Sequence, residues 1–295
     1  MKKTGSSDPI DSALESIAQS LEILSGRHRA AVLELGKADA YLWDAAGGRL
    51  QEVVRVNRID LGLLKGIDEV ADQLVRNTLQ FALGHGANNA LLWGARGTGK
   101  SSLIKAVHAH VSGRRERGKK RLVLVEVNRE EIETLPRLLK GVAALEARVL
   151  IFCDDLTFDQ GEATYRSLKT ILDGGLEGRP GNALLYATSN RRHLMPREMI
   201  ENERSTAINP SEAAEDKISL SDRFGLWLGF HPCDQPTYLE MVASYARHFG
   251  IDMPAAELRA GAIEWAATGG ARWGRVAIQF IRQIAGERGQ SVELD

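Results

Sequence analysis

Charge of one sign is what this sequence lacks most plainly. Its 38 lysines and arginines are offset by 39 aspartates and glutamates, a net charge of −1. No global electrostatic case exists for nucleic acid or for a membrane surface, and only a local patch could make one. Cysteine is equally scarce. Cys153 sits in an apolar run and reads as a buried, reduced thiol, which favours the cytoplasm. Cys153 and Cys233 are not spaced as a zinc site, and the seven histidines show no metal spacing. His108 and His110 are next but one on a helix and point to different faces. No apolar run is long enough to cross a bilayer. The start, MKKTGSSDPIDS, turns polar and acidic after two lysines, unlike a signal peptide. There is no internal repeat and no low-complexity tract. With 43% hydrophobic and 26% charged residues, a chain of 295 can fold as one large soluble domain or two smaller ones.

Against these absences stands one dense stretch, NALLWGARGTGKSSL, from Asn89 to Leu103. It reads as an apolar strand, a glycine-rich loop and the first turn of a helix. Gly94-Ala95-Arg96-Gly97-Thr98-Gly99-Lys100-Ser101 fits G-x-x-x-x-G-K-[ST], the phosphate-binding loop. Glycines let the backbone curl so that successive N–H groups point at phosphate oxygens. The helix N-terminus behind the loop adds partial positive charge. Lys100 can reach the outer phosphates, and the Ser101 hydroxyl can hold Mg²⁺. Ser102 follows in the same turn.

The remaining chain alternates strands and helices. Leu14, Ile17, Ala18, Leu21 and Leu24 recur at helical spacing, and an alanine-rich segment runs from Arg29 to Ala46. Residues 1–56 therefore read as an N-terminal helical extension. Ile67, Val70, Ala71, Leu74, Thr78 and Phe81 mark one face of a helix that Gly84 stops. Strands are expected at Leu122–Val127, Val149–Cys153, Ala183–Ala187 and Leu226–Phe230, with helices at Glu130–Glu146 and Glu162–Leu172. Pro196–Asp222 is polar and holds no strand. From Gln235 onward the pattern is helical. Alternation of this kind implies a parallel sheet covered by helices, with ligands beyond the carboxyl ends of its strands. The phosphate loop, Asp154-Asp155 and Thr188-Ser189-Asn190 all follow strand ends and should converge there. Asp154, after the apolar strand VLIFC, suits the Mg²⁺ shell. Asp155 stands where a carboxylate would orient a water for attack on the γ-phosphate.

GARGTGKS, VLIFCDD, ATSN, SDRF and GRVAIQF occur in the order seen in AAA+ ATPases, and the chain resembles that superfamily over roughly residues 57–286. It is most similar to a bacterial AAA+ family known only as a domain of unknown function, and it also resembles helicase loaders and replication-initiator ATPases. The resemblance implies a five-stranded parallel αβα core at 57–232 and a helical lid at 233–295. It implies binding of ATP with Mg²⁺ by Gly94, Ala95, Arg96, Gly97, Thr98, Gly99, Lys100, Ser101, Ser102 and Arg275, with Ser101 and Asp154 at the metal. It makes Asp155 the stand-in for the usual catalytic glutamate and Asn190 the sensor that places the water. Arg223 becomes the finger that reaches a neighbouring subunit's nucleotide, which implies a homo-oligomeric ring. Arg272 rivals Arg275 for the lid arginine, and Leu64–Ile67 resembles the hinge beside adenine.

Two departures from that pattern matter. Asp155 is one methylene shorter than glutamate, which sets its carboxylate back by roughly 1.5 Å and can cost ~10²-fold in rate. Threading machines carry an aromatic and a glycine after the second strand, but here the segment reads Asn128-Arg129-Glu130-Glu131-Ile132. The expected activity is slow ATP hydrolysis driving a conformational change on a client. A nucleotide-gated loader or adaptor is the first alternative. A nucleic-acid remodeller using the basic run Arg114, Arg115, Arg117, Lys119, Lys120 and Arg121 is the second. A small-molecule kinase would need an acceptor pocket that the sequence does not suggest.

Overall fold

A computed structural model describes residues 33–156, 167–169, 171–172, 178–190, 223–269 and 272–293. The helix at Leu14–Leu24, the start of the helix at Glu162 and the polar stretch 196–222 lie outside the described residues.

Among the described residues, seven strands form one sheet: β1 (Ala40–Asp44), β2 (Arg49–Glu52), β3 (Ala90–Gly94), β4 (Leu122–Val127), β5 (Arg148–Cys153), β6 (Ala183–Ser189) and β7 (Leu226–Phe230). Their order is β2-β1-β4-β5-β6-β3-β7. All neighbours are parallel except the β1–β2 hairpin. The expected five-stranded core is therefore present, and two further strands extend it.

Those two strands correct the reading of the segment 29–46 as helical. Tyr41 and Trp43 are buried while Leu42 between them is exposed, the period of a strand. Gly47 N–H donates to Asp44 Oδ1 at 2.8 Å and closes the turn. Alanine content favours helix only weakly. Pairing of Tyr41 with Val125 on β4 and burial of two large aromatics outweigh it.

The five core strands are mostly apolar because both faces are covered, with Glu126 in β4 and Arg148 at the start of β5 as the charged exceptions. Val123, Val125 and Val127 face one layer with α3 (Leu135–Ala143). Leu122 and Leu124 face the other, with α1 (Asp68–Leu83) and α2 (Lys100–Gly113). Three C-terminal helices, α4 (Gln235–His248), α5 (Ala255–Gly269) and α6 (Gly274–Glu287), pack around Tyr238, Val242, Ala262, Ala277 and Ile281. Ile59 and Leu63, from the segment preceding α1, complete that cluster. Asp234 starts α4 by accepting from Thr237 N–H at 2.8 Å.

His108 on α2 is fully buried, with Nε2 3.3 Å from the Leu122 carbonyl. Burial pushes its pKa down to about 4, against the attraction of Asp39 and with a smaller push from Arg58. The unfolded chain would bind a proton near pH 6.5. Between pH 6.5 and 4 the unfolded state thus holds more protons, so stability falls as pH falls through that window. The drop expected from this residue is about 3 kcal/mol. Urea unfolding of wild type and His108→Leu at pH 7 and pH 4.5 measures it. An equal pH dependence in both proteins would contradict the assignment.

Candidate functional site

β3, the penultimate strand between β6 and β7, ends at Gly94, and the chain then turns sharply into α2. At Gly94 φ is 143°, and a Cβ there would lie 2.3 Å from the Phe230 carbonyl oxygen on neighbouring β7. At Gly97 φ is 80°, and a Cβ would meet Arg275 Cβ at 3.4 Å. Glycine is needed at Gly94 by the close approach to β7 and at Gly97 by the left-handed backbone. Thr98 Oγ1 donates to the Ala95 carbonyl at 2.9 Å and braces the curve. The loop opens on a cleft of about 670 Å³.

Lys100, the first residue of α2, is buried at the floor of this cleft. Its Nζ donates to the carbonyls of Gly94 at 2.8 Å and Ala95 at 2.7 Å, and to Asn190 Oδ1 at 3.2 Å. Burial lowers its pKa, while Asp154 and Asp155 act in the opposite direction. Ser101 Oγ donates to Asp154 Oδ1 at 2.6 Å. The same Asp154 oxygen accepts from Thr188 Oγ1 at 2.5 Å. Thr188 Oγ1 in turn accepts the Asp155 N–H at 2.9 Å. Asp155 has φ 49°, a left-handed conformation that aspartate tolerates better than most residues. Asn190 Nδ2 donates to Asp155 Oδ1. Tips of β3, β5 and β6 thus meet in one hydrogen-bonded group.

The lid helices close one side. Arg275 lines the cleft, and its backbone N–H donates to the Gly97 carbonyl at 3.3 Å. Arg272 does not line it; its carbonyl accepts from Cys233 Sγ. The geometry therefore favours Arg275 over its rival. Leu64, Lys65 and Ile67 line the far end with Met241, Tyr245 and Ile278, apolar surface on both flanks. Trp273 is half-buried with its Cβ against Gly97, and Trp227 on β7 packs partly buried against the core.

Arg223 is not at this cleft. It precedes β7, which runs parallel to β3 with Leu226 opposite Ala90 and Phe230 opposite Gly94. Arg223 therefore lies at the amino edge of the sheet, and four strand steps alone separate the edges by about 13 Å. Ser221 and Asp222 of its motif lie outside the described residues.

Sequence reading missed Thr188 as a ligand of Asp154, although it belongs to the same strand end as Asn190. It also missed Arg282, which lines the cleft two helical turns beyond Arg275 on the same side of α6. Helical spacing from Arg275 was the available signal.

Two secondary expectations are also placed. Lys119 Nζ donates to the carbonyls of Val111 at 2.7 Å, Ser112 at 2.8 Å and Arg114, closing the end of α2. Arg121 donates to the Gly36 and Ala38 carbonyls at 2.7 and 2.6 Å. Part of the basic run is thus committed to the fold. The segment after β4 is held by the hairpin: Glu131 Oε1 accepts from Ala45 N–H at 3.0 Å, and Trp43 Nε1 donates to Thr134 Oγ1 at 2.8 Å.

Could this site take a magnesium nucleotide? The residues fit. The glycine curve leaves room that a side chain would fill, a buried ammonium sits at its floor, and a hydroxyl and carboxylate are already in contact beside it. The strand order, the loop between β3 and α2, and the C-terminal helices define a phosphate-loop fold of the AAA+ class. The chain belongs to the DUF815 family, described as a protein of unknown function, whose model matches residues 36–288. It is similar in structure to the Thermotoga maritima RuvB Holliday junction branch migration motor, at 13% identity and a TM-score of 0.45, over 76% of this chain and 71% of that one. It is also similar to the FIGL-1 AAA domain in complex with ADP, at 16% identity and a TM-score of 0.44, over 78% and 85% of the two chains. The sequence matches no curated protein. Among the described residues, no helix is long and apolar enough to cross a membrane.

Proposed function

We propose that this chain binds ATP with Mg²⁺ in the cleft and hydrolyses it slowly to ADP and phosphate, moving the lid (233–295) against the core (57–232) to act on a client. The observation that carries the reading is the direct 2.6 Å contact between Ser101 and Asp154 beside buried Lys100. Gly94 to Ser102 cradle the phosphates, and Ser101 and Asp154 hold the cation. When bound, that cation neutralises charge on the phosphates. Asp155 and Asn190 orient the attacking water. Arg275 reaches the nucleotide from the lid, so occupancy and lid position are coupled. Arg223, at the far edge of the sheet, serves the nucleotide of a neighbouring copy in a homo-oligomeric ring. Reduced thiols suit a cytoplasmic protein.

Turnover should be slow, because the Asp155 side chain is short and already bound by Asn190. Steady-state ATPase of the pure protein tests this, and rates typical of fast motor enzymes would refute it. The same bound carboxylate favours, as a second reading, a loader or adaptor that binds ATP and scarcely hydrolyses it. Asp155→Ala separates the two: loss of cellular function supports hydrolysis, and retention supports the adaptor. Nucleic-acid remodelling is the weaker reading, since Lys119 and Arg121 are spent on backbone carbonyls. An ATP-dependent DNA affinity that weakens steeply with salt would restore it.

A further inference from the structure

The loop that cradles the phosphates carries a second cation directed elsewhere. Arg96 is 78% exposed in its side chain, and its Nη2 lies 3.5 Å from Asp155 Oδ2. The other Asp155 oxygen accepts from Asn190 Nδ2. The side-chain Oδ1 of Asn190 accepts from Lys100 Nζ at 3.2 Å. Lys100, Asn190, Asp155 and Arg96 therefore form a closed ring that begins and ends on the same loop.

That ring ties the carboxylate to the state of the loop. Asp155 has a donor facing each oxygen, and its backbone is fixed by the bond from its N–H to Thr188. A carboxylate held at both oxygens keeps one orientation until a donor leaves. Lys100 is bound to two loop carbonyls, so a phosphate entering the loop must draw its Nζ away from them and disturb the ring. Arg96 is the ring member most easily moved, because it is exposed and its contact is the longest of the three.

We propose that Arg96 is a positioning residue that holds Asp155 back from the attacking water for part of the time, in the nucleotide-filled site as well. The proposal rests on the nucleotide reading above. It differs from that reading in giving Arg96 a regulatory partner within its own chain, Asp155, where the motif alone makes it one more phosphate-loop residue. An exposed ion pair is weak, so the restraint is modest, about three- to fivefold in rate.

Two measurements test it. Arg96→Ala should raise kcat for ATP about three- to fivefold with little change in KM. Arg96→Lys keeps the charge and should bring back most of the restraint. The second readout needs no turnover: metal-free binding of a fluorescent ADP. Asp155→Asn releases Arg96 toward the phosphates and should tighten ADP about threefold. Adding Arg96→Ala should erase that gain, a non-additive cycle. A fall in kcat with Arg96→Ala, an unchanged kcat, or strictly additive ADP affinities would each overturn the proposal. If wild type binds ADP normally in that case, the nucleotide reading stands and only the restraint is lost. If wild type binds no ADP at all, both fall.

Discussion

Arg223→Ala should lower ATP hydrolysis by about 10³-fold or more while leaving nucleotide affinity nearly unchanged. The expectation comes from topology. β7 is parallel to β3, so a residue before β7 lies at the opposite edge of the sheet from the loop after β3. Arg223 cannot serve the nucleotide of its own chain across that distance. A neighbouring copy can present its cleft to that edge, and a trans guanidinium stabilises developing charge on the transferring phosphoryl group. Two measurements follow from one cause. Specific activity of wild type should rise with protein concentration as copies associate. Mixing Arg223→Ala with Lys100→Ala should recover activity, because intact Arg223 of one variant serves the intact loop of the other. Equal specific activity for dilute monomer and concentrated protein would defeat the trans assignment.

Lys100→Ala should weaken ATP binding by about 100-fold or more. The buried ammonium donates to the Gly94 and Ala95 carbonyls and to Asn190 Oδ1, which places it to donate to phosphate oxygens. Charge-assisted hydrogen bonds contribute about 1.5–3 kcal/mol each, and two lost contacts suffice for that factor. Calorimetric titration of ADP and ATP reads the loss, and circular dichroism checks that the fold persists. Affinity within threefold of wild type would remove Lys100 from the binding site and with it the premise of the nucleotide reading.

Much of this was visible in the residues themselves. Strands Leu122–Val127 and Leu226–Phe230 fall on apolar stretches, because a strand covered on both faces carries few polar residues, Glu126 being the one charge in these two. The phosphate loop announced itself because glycines at fixed positions are a backbone requirement written directly in sequence. The hairpin at Ala40–Glu52 was not legible. Its alanines suit a helix, and its Tyr41–Trp43 alternation is too short to outweigh them without β4 alongside. Thr188 and Arg282 were missed for a related reason: each acts through a neighbour brought near by folding, Asp154 for one and the cleft wall for the other.

Sequence by itself determined the class of chemistry: a strand, a glycine curve and a lysine-serine pair at a helix start can do little else but hold phosphate. Tertiary structure alone decided which carboxylate touches Ser101, which lid arginine meets the loop, and that Arg223 lies at the wrong edge for its own cleft. The physical reason is separation along the chain. Contacts within the loop are fixed by local backbone geometry, whereas Asp154, Asn190 and Arg275 reach it only through the parallel order of the strands and the packing of α6 against Gly97.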